Sequence, residues 1–380
     1  MTTADILPHI SVSEKTVVAS NGTQANATEK ISSNNKPITN YFPHLPAYSD
    51  PTTGVLSKLP RSWVPYAQLM RIDRPGGLYA FYFPYLIGLV FGACITSPTP
   101  DPGSLLFLAA ILLPFNIVLR GAACTWNDTV DQDFDRRVSR CRHRPVARGA
   151  VSTSQAHLFT ALQLAVLYPV TILCFPAACV PHFLIMVVLF GVYALMKRVT
   201  YYPQVVLGVP FAWAVFFCVA ALDAKAFPLT LPFLSGSPLS QGKTHTKESF
   251  RATLALFGAN ILWTIIYDTI YAHQDIADDA KAGVKSMALK FKYSTKLLAG
   301  VLSIGQVGLL ALCGLWAGFG MLYFLVAVGG VGFALTYYIC DVDLESPESC
   351  GKWFHDQFWV VGTPFIAGLI CEYLTKKETI

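Results

Sequence analysis

Two strings of aspartates define the chemistry this chain is equipped to do. The first reads Trp126-Asn127-Asp128-Thr129-Val130-Asp131-Gln132-Asp133-Phe134-Asp135. On a helix, steps of three and four put Asp128, Asp131 and Asp135 on one face, with Asn127 beside them. The second begins Tyr267-Asp268-Thr269-Ile270-Tyr271 and continues through Asp275, Asp278 and Asp279, so Asp268, Asp275 and Asp279 stand seven and four apart on one face. Like charges stacked at these spacings destabilise a helix, so each face calls for a positive partner. No CxxC or Cys/His ligand spacing accompanies them, and carboxylate sets favour a hard, oxygen-loving cation. Magnesium uses one or two carboxylates per ion and takes its other ligands from water and substrate phosphate. Two such faces brought together would hold Mg²⁺ over a single diphosphate.

The basic residues between the strings suit the same anion. Arg140, Arg144 and Arg148 recur at intervals of four after the first string, and Lys197-Arg198 follow later. An arginine fork binds phosphate oxygens bidentately, and lysine acts as a point charge. Arg144 and Lys197 are the expected diphosphate contacts, with Arg198 beside them. The competing role for any one of these bases is to anchor a loop at a membrane surface.

The elements that must position these groups are apolar. Of 380 residues 53% are hydrophobic and 13% charged, against about a quarter charged in an ordinary soluble domain. Blocks of about 20 apolar residues are long enough to cross a bilayer as helices. Nine are expected, near 77–96, 104–126, 157–175, 177–196, 203–222, 252–272, 296–316, 319–339 and 355–374. With nine spans, the base-rich segments around Arg71–Arg74, Arg136–Arg148, Lys197–Arg198 and Lys281–Lys292 share one side, which the positive-inside rule makes cytoplasmic. Both aspartate strings follow even-numbered spans and belong to that side. Acids at a membrane boundary are costly and usually functional. The net charge of +5 is split among these loops rather than gathered in a stripe, which argues against nucleic acid as a partner. The ten cysteines are scattered, mostly within apolar blocks, as small buried hydrophobes are.

Residues 1–60 are rich in Ser, Thr, Asn and Pro and are expected to form a disordered tail, with the membrane domain at 61–375. The tail has no arginine and carries Asp5, Glu14 and Glu29, unlike a mitochondrial transit peptide. That favours the endoplasmic reticulum or another endomembrane, the mitochondrial inner membrane being the alternative. Segment 223–249 reads as a flexible loop and 341–353 as a short acidic connection.

The Asn127-to-Asp135 string and the later Asp275-x-x-x-Asp279 resemble the two signature motifs of the UbiA-type aromatic prenyltransferases. Arg71-Ile-Asp73-Arg74-Pro75, Arg140-x-x-x-Arg144-Pro145, Met196-Lys197-Arg198, Tyr267-Asp268-Thr269-x-Tyr271 and Gly283-Val284-Lys285-Ser286 extend the resemblance in order over about 60–375. The pattern is closest to the 4-hydroxybenzoate branch and to fungal meroterpenoid relatives. The departures are the long polar N-terminal tail, the 223–249 insertion and the Gly76-Gly77 pair.

The resemblance implies an all-α, nine-helix membrane bundle with a central cavity, open laterally to lipid. It also implies Mg²⁺ bridging Asp128, Asp131, Asp135, Asp275 and Asp279 to a prenyl diphosphate. An aromatic acceptor then attacks the allylic cation. Farnesyl is the expected donor and a polyketide-derived phenol the expected acceptor, with 4-hydroxybenzoate and a long polyprenyl donor as the alternative. In this reading Asn127 and Arg71 orient the acceptor, Asp268 assists the metal or a deprotonation, and Trp126, Tyr267 and Tyr271 shield the cation. These aromatics equally suit membrane-interface anchors. The rivals are a secondary transporter, which would place its acids mid-span within an inverted repeat, and a terpene cyclase using the same metal site.

Overall fold

Apolar blocks of this length satisfy their backbone groups inside a membrane only as helices or closed barrels, and here they are helices. The structure is a computed structural model and describes residues 42–222 and 244–378. Among the described residues there are no strands, and nine helices are long and apolar enough to span a membrane. They are α1 (Pro75–Ile95), α2 (Pro102–Val130), α3 (Thr153–Cys174), α4 (Cys179–Val199), α5 (Pro203–Leu222), α6 (Lys247–Ala282), α7 (Thr295–Ala317), α8 (Met321–Asp341) and α9 (Pro347–Lys377).

Burial divides these helices into inner and outer members. The inner helices α1, α5 and α6 bury most of their length, and α1 and α5 are apolar on every side, as buried helices require. The outer helix α3 turns Leu158, Leu162, Val166 and Leu173 outward. Close approach of α1 to α5 depends on Gly88, where a Cβ would come within 2.9 Å of the Val215 Cα. Small residues at such crossings let helices in lipid pack by direct van der Waals contact.

Helix ends follow local chemistry. Asp101 caps α2 by accepting from the Ser104 N–H at 3.1 Å, and Ser152 and Gln155 form a reciprocal capping box at the start of α3. The break at Phe175-Pro176 separates α3 from α4, as the sequence predicts.

Three boundaries differ from expectation. The helix containing α6 begins at Thr244, so the expected loop 223–249 ends earlier; residues 223–243 lie outside the described residues. Ser346 caps α9, which begins at Pro347, leaving only 342–346 as the expected connection 341–353. Residues 42–60, expected as part of the tail, make defined contacts with the rest of the chain; residues 1–41 lie outside the described residues. Leu56 is buried, Arg142 Nη1 donates to the Phe42 carbonyl at 3.0 Å, and the Arg148 guanidinium lies 3.8 Å from the Tyr48 ring centroid. An aromatic anchor and two cation contacts thus outweigh the polar composition of 42–60.

Candidate active site

Both aspartate strings sit where a membrane helix gives way to a shorter one. Helix α2 stops at Val130, and Asp131 caps it through a bond from its own N–H to the Asn127 carbonyl at 2.8 Å. A separate short helix, Gln132–Asp135, then carries Asp135. The single continuous face expected from the sequence is therefore two helices. The spacing survives the joint because the Asp135 N–H bonds the Asp131 carbonyl at 2.9 Å. In the second string a 3₁₀ turn, His273–Asp275, interrupts α6 and turns the chain between Asp268 and Asp279.

The first string is buried and matched base for acid. Arg71 Nη2 donates to both oxygens of Asp128, at 2.5 and 2.8 Å. Arg144 Nη1 donates to Asp135 at 2.9 Å and lies 3.2 Å from Asp128. Lys197 Nζ donates to Asp131 Oδ2 at 2.7 Å. Burial would discharge Arg71 and Arg144, but the facing carboxylates outweigh it and hold both guanidiniums above their ordinary range. Asp135 goes the other way: burial, helped by Asp128 and Asp131 and opposed by Arg144, pushes its carboxyl up to about 7. Arg71 reaches Asp128 from a left-handed backbone conformation, φ +58°, a strain that proteins retain mainly where function requires it.

The second string is looser. Arg140 forks onto Asp275, with Nε 2.8 Å from Oδ1, and also donates to the Tyr271 hydroxyl at 3.0 Å. Asp278 belongs to the scaffold, accepting from the Ser139 N–H at 2.9 Å. With a small apolar cluster of Val138, Cys141, Ala282 and Val284 it clamps the two strings together. No ion pair reaches Asp268 or Asp279 among the described residues.

Two adjoining cavities result. The shallower, about 180 Å³, is lined by Asn127, Asp131, Asp135, Asp268, Asp275, Asp279, Arg140, Arg144 and Lys197. The deeper, about 360 Å³, shares Asn127, Arg140, Arg144, Asp268 and Tyr271 with it, adds Arg71 and Asp128, and continues between Phe81, Phe190, Leu207, Phe211 and Tyr267. A polar chamber thus opens into an apolar, aromatic one.

The donor set fits a hard divalent cation. The Oδ1 atoms of Asp131 and Asn127 are buried without hydrogen-bond partners, an expensive state for a carboxylate or amide oxygen unless a ligand completes it. No three His, Cys, Asp or Glu side chains among the described residues converge to cage an ion by themselves.

Some expected residues lie elsewhere, and some lining residues were not expected. Arg198 donates to the Val130 carbonyl at 2.6 Å and covers the Phe134 ring, lining neither cavity. Trp126 donates to the Gly191 carbonyl at 3.1 Å and faces a separate pocket between α2, α3 and α4. Tyr267 and Tyr271 do line the deep cavity. Arg120, which the sequence reading passed over, lines it too. It is buried within α2 and donates to the carbonyls of Arg71 and Arg74 at 3.1 and 2.6 Å, with no carboxylate partner among the described residues. Its signal was an arginine inside an otherwise apolar span, seven residues before Asn127. Gly77 serves it: a Cβ there would lie 2.6 Å from Arg120 Nη2.

A membrane bundle, with nine long apolar helices among the described residues and paired aspartate motifs beside an apolar cavity, defines a class of membrane transferase, and the comparisons identify it. The pattern of the UbiA prenyltransferase family matches residues 82–362, and the chain belongs to that family, as an aromatic prenyltransferase of UbiA type. It is 38% identical to the prenyltransferase ascA of Acremonium egyptiacum over 88% of this chain and 92% of that one. It is 35% identical to the DMOA farnesyltransferase nvfB of Aspergillus novofumigatus over 81% and 92%, and 34% identical to the mitochondrial 4-hydroxybenzoate polyprenyltransferase of Bos taurus over 86% and 80%. Among solved structures, a UbiA homologue from Archaeoglobus fulgidus bound to GPP and Mg²⁺ shares the fold with a TM-score of 0.57 at 18% identity, over 82% of this chain and 99% of that one.

Proposed function

We propose that this enzyme transfers a farnesyl group from its diphosphate to a ring carbon of a polyketide-derived phenol, with Mg²⁺ as cofactor and the acidic chamber on the cytoplasmic side of an endomembrane. The observation that carries the reading is the junction of the two cavities. In this reading the diphosphate occupies the chamber lined by the aspartates and bases, and its chain runs toward Phe81, Phe190 and Phe211, which line the adjoining cavity. The farnesyl assignment draws on the name of the fungal relative.

Asp128, Asp131 and Asp135 with Asp275 and Asp279 are the expected holders of Mg²⁺, and Asn127 and Asp268 complete that wall. Bound Mg²⁺ neutralises the diphosphate and makes it a better leaving group. Lys197, Arg144 and Arg140 supply positive charge around the departing oxygens. Departure leaves an allylic cation, which Tyr267 and Tyr271 face from the cavity wall and stabilise by cation–π attraction. The acceptor ring then attacks. Arg120, a buried cation with no carboxylate partner among the described residues, joins Arg71 as a contact for an acidic group on the acceptor.

The test is a microsomal assay of the expressed protein, offering farnesyl and geranylgeranyl diphosphates against 4-hydroxybenzoate and an orsellinic-type phenolic acid. It is run with Mg²⁺ or EDTA, alongside Asp131→Ala and Asp275→Ala. The expected result is a C-farnesylated phenolic acid, lost with EDTA and in both variants. Activity surviving both substitutions would remove the metal-bridge reading, and preference for 4-hydroxybenzoate with a longer donor would replace the proposed substrates. Diphosphate release without an aromatic product would point to cyclisation.

A further inference from the structure

Aromatic substitution at a C–H position leaves a proton to be removed. The ring carbon bonds the prenyl C1, the C1–O bond breaks, and its electron pair departs with diphosphate. The ring then holds a positive charge and carries both hydrogen and prenyl on one carbon. A base must take that hydrogen as a proton so that the C–H electron pair restores the aromatic ring.

Most acids around the deep cavity are already committed. Asp128 is engaged by Arg71 and Arg144, and Asp268 belongs to the proposed metal wall. On the α1–α9 wall stands an imidazole, His355. Its Nδ1 lies 2.9 Å from Asp356 Oδ1. With the Nδ1–H donated to that carboxylate, the neutral ring presents the Nε2 lone pair, which no described residue engages. The ring is held in place from two sides. Tyr79 packs edge-on at 5.5 Å, and the backbone of Gly76 lies so close beneath it that a Cβ would come within 3.3 Å of His355 Cδ2. The side chain is 45% exposed, so the ring is not sealed within the cavity wall.

We infer that His355, oriented by Asp356, is the catalytic base that takes the ring proton after the carbon–carbon bond has formed. The inference rests on the aromatic transfer proposed above. The proton passes to Nε2 and on to solvent, the imidazolium being stabilised by Asp356. Gly76, one of the departures from the family pattern, is the space that admits the ring.

The experiment uses the full-length enzyme in microsomes with the donor and phenolic acid that the unchanged enzyme couples, the acid carrying hydrogen or deuterium at the prenylated carbon. His355→Gln and His355→Ala are expected to lower aromatic product about 10²-fold, the usual scale for losing a general base. Mg²⁺-dependent diphosphate release continues in both, with prenyl alcohol accumulating as water captures the cation. A primary deuterium isotope effect, absent or small in the unchanged enzyme, emerges in the variants. Added imidazole restores part of the His355→Ala activity, and Asp356→Asn falls between the two. Product within about threefold of the unchanged enzyme and no new isotope effect would overturn the inference. Loss of diphosphate release together with product would also overturn it, by making His355 a structural residue. Absence of Mg²⁺-dependent diphosphate release in the unchanged enzyme would sink the transferase reading itself, a separately visible failure.

Discussion

The two aspartate motifs look alike in sequence and are built differently. At the end of α2, Asp128, Asp131 and Asp135 are almost completely buried, and each is met by Arg71, Arg144 or Lys197. At the end of α6, Asp275 is paired with Arg140, Asp278 is spent on Ser139, and neither Asp268 nor Asp279 has an ion-pair partner among the described residues. A buried, neutralised set can be assembled before any ligand arrives. An open carboxylate wall is completed by the cation and phosphate it receives. The first motif is thus part of the fold as well as of the site, and the second belongs mainly to the site.

The largest expected effect sets these roles against each other. Asp128→Ala strands Arg71 and part of Arg144 in the interior, and breaking such a pair costs about 3–5 kcal/mol. Asp279→Ala removes no ion pair, so stability is expected to stay within about 0.5–1 kcal/mol of the unchanged protein. Activity falls steeply in both variants. Thermal unfolding in detergent with EDTA separates them, and a higher Mg²⁺ concentration should recover activity only for Asp279→Ala. Equal destabilisation of the two would erase the distinction.

A smaller effect follows from Asp135. Burial raises its folded-state pKa to about 7, from an ordinary value near 4. Between those values the folded state holds a proton that the unfolded chain has lost. The metal-free protein is therefore most stable below about pH 4 with respect to this group, and loses that contribution as pH rises through about 7. A divalent cation must displace the proton. Its binding should tighten with rising pH, by up to about tenfold per unit, until near pH 7. Thermal shifts at several pH values with and without Mg²⁺ check both slopes. Asp135→Asn should flatten the metal-free slope, and an unchanged slope would assign it to another group.

Much of this was legible in the sequence. The nine apolar blocks mark the spans because their length and composition are dictated by the bilayer. The aspartate spacing brings Asp131, Asp135, Asp268, Asp275 and Asp279 to one cavity. The joints were not legible. Nothing in the period says that α2 stops at Val130 or that a 3₁₀ turn interrupts α6. Arg120 and His355 escaped because neither belongs to a periodic motif. Each is defined by what lies beneath it in space, Gly77 in one case and Gly76 in the other. Composition also hid the contacts of 42–60, where Tyr48 lies under Arg148 in a segment that reads as polar linker.

The smallest expected effect, at Arg198, gives the sharpest probe of how the first motif is wired when it is set beside its neighbour. Lys197 and Arg198 are neighbours that charge alone cannot rank. Helix geometry points consecutive side chains about 100° apart, and here that rotation decides their roles. Lys197 turns inward to Asp131, whose side chain is 1% exposed, so Lys197→Ala leaves a buried carboxylate without its cation and takes a charge from the chamber. Activity is expected to fall about 10²-fold. Arg198 turns outward over Phe134 and the Val130 carbonyl, and Arg198→Ala should keep kcat/KM within about twofold, as surface substitutions away from a site do. Steady-state rates on the two single variants suffice. If Arg198→Ala cost as much as Lys197→Ala, its guanidinium would have to swing into the chamber when diphosphate binds, and the outer wall of the first motif would be a moving part.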